Sequence, residues 1–320
     1  MTRHLHSGER EAEAFRASRI RVGAQNTCPT FRAIVWLTAM ALAAGRFCPV
    51  AMAGDRRTPP ETPAPREIPI KLYQNYLIVV EGRLGTLEHQ NLLLDTGTNP
   101  SIVDRRVAAK LGLPLVPRTL SLFNKNVGSE SALLPSLEFG QVHKQDVTVM
   151  VADFSDLGGG LGTRIDAVIG LDVLAATSFT VDFAKRRITF EASAERHTVP
   201  FTAGPQFMAV TMTANGRPLH LLFDTGTERL VLFESHLGGV SYAAGDATGS
   251  GHNISGNVTY ESIVIAKASL GAQDVGPQRA LVVPSQKAVD ENLDGLMGVS
   301  CLRPRRISFD FQRHLLGWSE

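Results

Sequence analysis

The chain has 320 residues, of which 43% are hydrophobic and 20% are charged, as in a globular protein with enough length for sizeable cores. The net charge of +1 hides an asymmetry: residues 1–53 carry seven Arg and three Glu, or +4, which leaves −3 for residues 54–320. A weakly acidic body lacks the basic surface that nucleic-acid binding requires, so we expect no nucleic-acid partner.

The N-terminal segment has the pattern of an export signal. Arg32 precedes an apolar stretch at residues 33–44, and Ala51-Met52-Ala53 offers the small residues that a signal peptidase accepts. The stretch is too short for a permanent transmembrane anchor. We predict a signal peptide at residues 1–53 and an exported protein, periplasmic or secreted; a retained signal anchor or a lipid anchor at Cys48 is the alternative.

The proline and cysteine residues indicate the properties of the chain that would remain after the signal peptide is cleaved. Residues 54–69 are rich in proline and charge, which predicts an extended linker; the sequence leaves open whether it also acts as a pro-segment. Cys28 and Cys48 lie in the segment predicted to be removed, so Cys301 would have no partner for an intramolecular disulfide. We interpret Cys301, which lies among apolar residues, as a small core residue.

An internal repeat dominates the sequence. The tripeptide Asp-Thr-Gly occurs at residues 95–97 and again at residues 224–226, each time directly after an apolar run. An apolar-apolar-Gly element follows at a near-constant interval, because Gly170 lies 75 residues after Asp95 and Gly298 lies 74 residues after Asp224. Matched landmarks in the same order indicate a duplication.

The repeated unit is rich in strand patterns. Apolar and β-branched runs bounded by turn residues, such as residues 76–80 and 147–151, predict strands. Helical pattern is scarce; the best candidate runs from Asp104, as N-cap, to Leu111, with short helical turns after each motif Gly. We predict an all-β fold with two packed lobes, residues 70–197 and 198–320, and a cleft between them.

One glycine-rich segment and one pair of acidic residues are interpreted as structural rather than functional. Gly158-Gly159-Gly160 predicts a flexible loop, since nothing around it resembles a phosphate-binding context. Asp166 and Asp294 each precede the motif Gly by four residues, and we interpret them as braces of a turn rather than as further catalytic acids.

Two carboxylates face to face are the minimum apparatus for hydrolysis of a peptide bond through one water. Like charges at close range do not readily ionise together, so one acid stays protonated while the other acts as a base. We therefore predict that Asp95 and Asp224 are a catalytic pair. One Asp-Thr-Gly alone is a weak signal, because Asp and Gly are ordinary turn residues, but two matched copies favour catalysis.

The neighbours of each acid suit that chemistry. Gly97 and Gly226 allow the two loops to approach closely. Thr96 and Thr225 can bond across to the opposite loop. Thr98 and Thr227 can donate hydroxyl hydrogen bonds to the carboxylates, which favours ionisation and predicts an optimum on the acid side. We predict structural roles for the motif glycines Gly170 and Gly298.

These motifs resemble the pepsin and retropepsin clan of aspartic proteases, in which Asp-Thr-Gly and a later apolar-apolar-Gly form the core of each lobe. The chain is most similar to bacterial retropepsin-like proteases, here in tandem over residues 70–320. The resemblance implies a bilobal pepsin-like acid protease fold with two β-barrel lobes and a peptide substrate. Retroviral members take their second Asp from another subunit, whereas this chain carries both.

The resemblance also implies a β-hairpin flap over the cleft. Pepsin-like enzymes carry a Tyr on the first flap; residues 120–134 hold Phe123 to Gly128 and no Tyr, which is similar to retropepsin flaps. Residues 247–257, rich in Gly and Ser, are the candidate second flap.

No cofactor or metal is expected, since the nine His show no close metal-type spacing. We predict an aspartic endopeptidase that acts as a monomer on polypeptide substrates. Two alternatives stay open: a non-catalytic protein that binds peptides or envelope polymers on the same fold, and a protein in which each lobe pairs with a partner chain.

Overall fold

The computed structural model of the protein describes residues 35–36, 66–121, 126–204, 207–253, 256–284 and 292–320. All of these lie in the unit that spans residues 33–320. Apart from residues 35–36, the predicted signal peptide lies outside the described residues, as does the linker up to residue 65. Strand β1 (Val35–Trp36) pairs in parallel with residues 252–253.

The first repeat consists mainly of strands. They are β2 (Glu67–Pro69), β3 (Lys71–Tyr73), β4 (Leu77–Leu84), β5 (Leu87–Leu94), β6 (Ile102–Asp104), β7 (Val116–Ser121), β8 (Asn126–Phe139), β9 (Val142–Ala152), β10 (Ala167–Ile169), β11 (Phe179–Asp182) and β12 (Arg187–Thr189). The described helices are α1 (Arg105–Lys110), α2 (Ser155–Leu161) and α3 (Leu171–Leu174).

The second repeat follows the same plan. Its strands are β13 (His197–Pro200), β14 (Thr202–Ala203), β15 (Met208–Ala214), β16 (Arg217–Asp224), β17 (Leu230–Phe233), β18 (Ala243–Asn253), β19 (Gly256–Ile265), β20 (Ala268–Leu270), β21 (Gln273–Asp274), β22 (Gln278–Val283), β23 (Gly295–Gly298), β24 (Arg306–Asp310) and β25 (Leu315–Ser319). Short 3-10 helices span Glu234–His236 and Val299–Cys301. The prediction of an all-β fold with two duplicated lobes is confirmed.

The same arrangement of three neighbouring strands forms the centre of each lobe. In the first, β10 lies between β5, to which it is parallel, and β6, to which it is antiparallel. In the second, β23 lies between β16 and β17 with the same directions. Strands β5 and β16, which lead to the two acids, are covered on both faces where they approach the acids, and this explains the unbroken apolar run before each Asp. In β5, Leu92, Leu93 and Leu94 are at most 1% exposed.

A six-stranded sheet joins the two lobes, in the order β13-β25-β24-β11-β12-β2. Strand β11 of the first lobe pairs antiparallel with β24 of the second, and Phe179 lies opposite Phe309 with ring centroids 4.7 Å apart. The Thr180 hydroxyl donates to Ser308 Oγ across the same pair of strands at 3.1 Å. The predicted lobe boundary at residues 197–198 falls inside β13 of this sheet.

The helical predictions are confirmed at three places. Helix α1 begins after Asp104, whose Oδ1 accepts a hydrogen bond from the Arg106 N–H at 2.8 Å, as an N-cap should. Short helical turns follow both motif glycines, at Leu171–Leu174 and Val299–Cys301. None of the described helices is long and apolar enough to cross a membrane.

The prediction of a loop at Gly158-Gly159-Gly160 is wrong, because these residues belong to helix α2. Buried Phe154 and Leu157 fix the start of the helix against the lobe, and Asp104 Oδ2 accepts the Phe154 N–H at 2.9 Å. Tertiary packing therefore overrides the low helix propensity of glycine. The helix ends at Gly162, which adopts a left-handed conformation with φ 66°.

Candidate active site

The two Asp-Thr-Gly motifs meet at the junction of the lobes. Asp95 directly follows β5, Asp224 ends β16, and both side chains are fully buried. A methyl group added to Gly97 would lie 2.5 Å from Asp224 Cγ, and one added to Gly226 would lie 2.7 Å from Asp95 Oδ2. Each glycine therefore lies against the opposite carboxyl group, and a side chain there would force the two acids apart.

Thr96 and Thr225 lock the two loops together with four hydrogen bonds. Each backbone N–H donates to the hydroxyl of the other Thr, at 3.0 Å and 3.1 Å. Each hydroxyl then donates across the junction, from Thr96 to the Phe223 carbonyl at 2.8 Å and from Thr225 to the Leu94 carbonyl at 2.9 Å. The residues that precede the two acids are thus fixed by the opposite lobe.

Each acid receives the same pair of local hydrogen bonds. The Gly97 N–H donates to Asp95 Oδ1 at 2.8 Å, and the Gly226 N–H donates to Asp224 Oδ1 at 2.7 Å. The hydroxyls of Thr98 and Thr227 donate to the Oδ2 atoms of Asp95 and Asp224, both at 2.7 Å. The carboxyl groups therefore have matched environments and a fixed orientation.

Burial raises the pKa of Asp95 well above its usual range, and the charge of Asp224 and a hydrogen bond shared with it raise that pKa further. The Thr98 hydroxyl and the Gly97 N–H act in the opposite direction, because they stabilise the ionised form. Two acids this close titrate as a unit. The pair can thus hold one proton and one negative charge, which is the state that acid–base hydrolysis requires.

The motif glycines bring a second strand against each Asp-Thr-Gly loop. A methyl group at Gly170 would lie 2.3 Å from the Thr98 carbonyl oxygen, and one at Gly298 would lie 2.4 Å from Glu228 C. The loops are bonded to the residues that follow these glycines: the Leu171 N–H donates to the Thr98 carbonyl at 2.9 Å, and the Val299 N–H donates to the Thr227 carbonyl at 3.2 Å.

Asp166 and Asp294, predicted to brace a turn, instead brace the strands that lead to the acids. Asp166 Oδ2 accepts the Asn91 N–H at 2.9 Å, and Asp294 Oδ2 accepts the His220 N–H at 2.8 Å. Each of the two acids forms an ion pair with an arginine. Arg164 Nε lies 2.8 Å from Asp166 Oδ1, and Arg217 lies 3.8 Å from Asp294 Oδ1. They add no third acid to the pair.

Two residues at the site escaped the sequence analysis, and the first is Asp172. Its Oδ1 accepts hydrogen bonds from the Ser101 N–H at 3.0 Å and the Ser101 hydroxyl at 2.8 Å. Ser101 Oγ in turn accepts the Gly170 N–H at 2.9 Å. Burial raises the pKa of Asp172. The sequence feature that could have identified Asp172 is its position two residues after the motif Gly170, where the second repeat has Ser300 instead of an acid.

The second is Tyr76, which sequence analysis assigned to a strand. It lies in the turn before β4, is 2% exposed, and packs in a cluster with Val299 of the other lobe. Burial and then the charges of Glu228, Asp224 and Asp95 raise the pKa of its phenol above the usual range. The phenol therefore stays protonated beside the acids. In the sequence, the one feature that pointed to Tyr76 was a polar hydroxyl group next to an apolar run.

The predicted flaps correspond to two β-hairpins. Strands β7 and β8 form the first, and residues 122–125 between them in sequence, including Phe123, lie outside the described residues. Strands β18 and β19 form the second, with residues 254–255 also outside. The role of either hairpin as a flap stays a prediction. Within the described part of the chain, no cluster of three or more His, Cys, Asp or Glu side chains is arranged to hold a metal ion.

Comparison with protein families agrees with this geometry. A family model described as aspartyl protease matches the chain twice, at residues 80–173 and 210–301. The chain belongs to this family, with two retropepsin-like repeats in tandem. Each match contains one Asp-Thr-Gly and one motif Gly. No curated protein matches the chain significantly.

Proposed function

We propose that the protein is an aspartic endopeptidase in which Asp95 and Asp224 of one chain activate a single water molecule. One observation carries the proposal: two fully buried carboxyl groups lie against each other at the lobe junction, each oriented by the same N–H and hydroxyl donors. Burying two acids in contact opposes ionisation and lowers stability, so such a pair is typical of a functional site.

In the proposed mechanism, the ionised carboxylate accepts a proton from water as the water oxygen attacks the carbonyl carbon of the substrate. The protonated carboxyl group donates its proton to the carbonyl oxygen as that oxygen becomes tetrahedral. The carboxyl group that took the water proton then gives it to the leaving nitrogen while the carbon–nitrogen bond breaks. The other carboxylate recovers its proton from the tetrahedral hydroxyl as the carbonyl reforms, so the pair returns to its initial charge.

The surrounding residues position this pair rather than react. Thr96 and Thr225 hold the loops at fixed separation, and the glycines after them keep space between the acids free of side chains. Because the acids are already oriented before substrate binds, little reorganisation is needed when the reaction begins. The mechanism requires neither a cofactor nor a covalent intermediate.

The substrate is proposed to be a polypeptide in an extended conformation within the cleft between the lobes. Both acids come from one chain, which supports action as a monomer. Export to the periplasm or the exterior rests on the sequence of residues 1–53 and remains part of this proposal.

The test is cleavage of a mixed peptide library by the purified protein from pH 3 to pH 8, with and without a pepstatin-type inhibitor. We expect cleavage on the acid side of this range that the inhibitor blocks and that Asp224→Asn abolishes. Binding of peptides without cleavage at any pH, by a folded wild-type protein, would instead favour a non-catalytic peptide-binding protein.

A further inference from the structure

One end of the six-stranded sheet that joins the lobes is strongly basic. Neighbouring strands of this sheet are antiparallel, so β13, β24 and β12 begin at this end, and β25, β11 and β2 finish there. We call the charged residues at this end the basic rim. Its cations are Lys185, Arg186, Arg187, Arg196, Arg303, Arg305 and Arg306, and its acids are Glu67, Asp182, Glu195 and Glu320.

Two arginines of the basic rim are already neutralised. Arg306 lies 3.1 Å from Glu195, whose side chain is only 2% exposed, and Arg187 forms an ion pair with Glu67. Of the seven cations and four acids, five cations and two acids then remain. The rim therefore carries an excess of three positive charges.

The five remaining cations are exposed, and their side chains form no hydrogen bond or ion pair with any described residue. They are Lys185, Arg186, Arg196, Arg303 and Arg305. Glu228 lines a cavity together with Arg303, but its carboxylate lies 3.3 Å from Arg229 and is paired there. The excess charge is thus not cancelled by this neighbouring acid.

The backbone fixes the positions of these cations. The Phe183 N–H donates to the Arg305 carbonyl at 2.9 Å, which joins the turn after β11 to the start of β24. Within that turn, the Lys185 N–H donates to Asp182 Oδ1 at 2.8 Å. The Arg186 carbonyl accepts the N–H of the residue that follows β2, also at 2.9 Å. The cations are therefore presented by the ends of paired strands.

The second repeat builds the same turn at the opposite end of the sheet without this excess charge. There, Asp310 Oδ1 accepts the Arg313 N–H at 2.9 Å, as Asp182 does for Lys185. Apart from the acid that pairs with Arg187, the charged residues at that end are Arg66, Glu191, Asp310 and Arg313. Their charges sum to zero, so neither the turn nor the sheet requires a basic rim.

Charge outside the basic rim has the opposite sign. Residues 54–320 carry −3 in total, and the rim contributes +3, so the remaining residues carry −6 by subtraction. The body of the protein thus has one positive end and an acidic remainder. Such a separation of charge orients a protein as it approaches a negatively charged surface.

The cations are spread along an edge rather than gathered around one pocket. Arg196 precedes β13 and Arg186 precedes β12, four strands further along the sheet. At about 4.8 Å per strand they span about 19 Å. A flat array of anionic head groups can contact this edge along its whole length, whereas a single small anion cannot. A long nucleic acid would also meet the acidic remainder and be repelled.

We propose that the basic rim is a docking surface for an anionic lipid bilayer, to which the protein binds peripherally through one end of the sheet between its lobes. Guanidinium and ammonium groups bind lipid phosphates through charge-assisted hydrogen bonds. The export signal predicted at residues 1–53 would bring the protein to a membrane. The proposal does not depend on proteolytic activity.

Flotation of the full chain with lipid vesicles tests this proposal. The vesicles contain phosphatidylcholine alone or with about one third phosphatidylglycerol, which supplies the negative charge. We expect partitioning to be at least about tenfold stronger on the anionic vesicles and to weaken steeply as salt rises from about 0.1 M to about 0.5 M, because salt screens exposed charges. Equal partitioning on both vesicles would overturn the proposal.

Paired substitutions separate the basic rim from residues 1–53, which are also basic. Lys185→Gln with Arg305→Gln should weaken partitioning on anionic vesicles by about ten- to thirtyfold, since each cation near such a surface contributes about fivefold. The matched control is Arg66→Gln with Arg313→Gln, which removes the same charge from the opposite end of the sheet. Its partitioning should stay within about twofold of the wild type.

A second rim pair, Arg196→Gln with Arg303→Asn, should reproduce the loss; Arg303 has φ 45°, a conformation that Asn tolerates. Circular dichroism melting curves check that every variant is folded. Equal losses in the rim pairs and the control would show that overall charge drives binding and would overturn the proposal. Binding of the wild type to DNA or heparin but not to anionic vesicles would reject a bilayer as the partner.

Discussion

We expect Thr98 and Thr227 to set the acidity of the proposed catalytic pair through single hydroxyl hydrogen bonds. Each donates to the Oδ2 atom of its neighbouring acid at 2.7 Å, and a donor of this kind favours the ionised form. We expect Thr98→Ala or Thr227→Ala to move the acid limb of the kcat/KM profile upward by about one pH unit, because a hydrogen bond to a charged group contributes about 1.5–3 kcal/mol.

The matched controls for that prediction are Thr98→Ser and Thr227→Ser, which keep the hydroxyl group and remove only a methyl group. Their pH profiles should stay within about 0.3 units of the wild type, a small fraction of a full hydrogen-bond effect. If Ala and Ser variants gave the same profile, the hydroxyl groups would have no role in tuning the pair.

Asp95 also links pH to folding stability. Its pKa is raised in the folded protein, mainly by burial, so its contribution to stability is fully present below the unfolded pKa and is lost as pH rises through the folded pKa. Asp95→Asn cannot ionise and avoids this loss. We expect its Tm to exceed that of the wild type at pH 8 by roughly 2–4 °C, the shift that about 1 kcal/mol gives in a protein of this size.

The control for this effect is pH itself. The Tm advantage of Asp95→Asn should shrink steadily from pH 8 to pH 4 as the wild-type pair gains its proton, and circular dichroism melting curves measure it. A Tm difference that did not change with pH would mean that the substitution acts through packing and that Asp95 has no raised pKa.

At the scale of elements, two glycines respond to alanine in opposite ways. A methyl group at Gly298 would lie 2.4 Å from Glu228 C, which is backbone and cannot move aside, whereas nothing lies within 4 Å of one at Gly159. We expect Gly298→Ala to lower the free energy of unfolding by about 1–3 kcal/mol. Gly159→Ala, on an exposed position of helix α2, should raise it by about 0.5–1 kcal/mol.

Denaturant unfolding measures both changes, and peptide cleavage separates them further. Gly298→Ala should also reduce activity, since it displaces the loop that holds Asp224, while Gly159→Ala should leave activity unchanged. Destabilisation by Gly159→Ala would show that helix α2 does not form over these residues.

Local sequence signals predicted those elements that depend on local physics. The N-cap of α1 was readable because Asp104 bonds to its own neighbouring N–H, and the buried central strands were readable from unbroken apolar runs. Helix α2 could not be predicted from its sequence, because its three glycines disfavour a helix. It forms through contacts of Phe154 and Leu157 with the rest of the lobe.

At the scale of the molecule, the duplication predicted the two half-sites but not the contacts that form between the two lobes. Asp95 and Asp224 could be paired from sequence because their surroundings repeat at a fixed interval. The role of Tyr76 has no such signal, because its surroundings combine residues from both lobes. Such contacts depend on tertiary register, which periodicity does not encode.

The lobes are joined firmly enough for one chain to form the complete pair. Strands β11 and β24 form a continuous ladder between them, and the four threonine hydrogen bonds add a second connection directly beneath the acids. The alternative, in which each lobe pairs with a lobe of a partner chain, would require both connections to be broken and remade between molecules.

Mixing two inactive variants tests this central claim most directly. Cleavage of one peptide substrate is measured for Asp95→Asn, for Asp224→Asn, and for an equimolar mixture of both after incubation at the assay pH. We expect each variant alone to lose at least about a thousandfold in kcat, and the mixture to stay equally inactive, because each chain pairs its own two acids. Recovery of activity in the mixture, or near wild-type cleavage by either variant alone, would contradict a dyad formed within one chain.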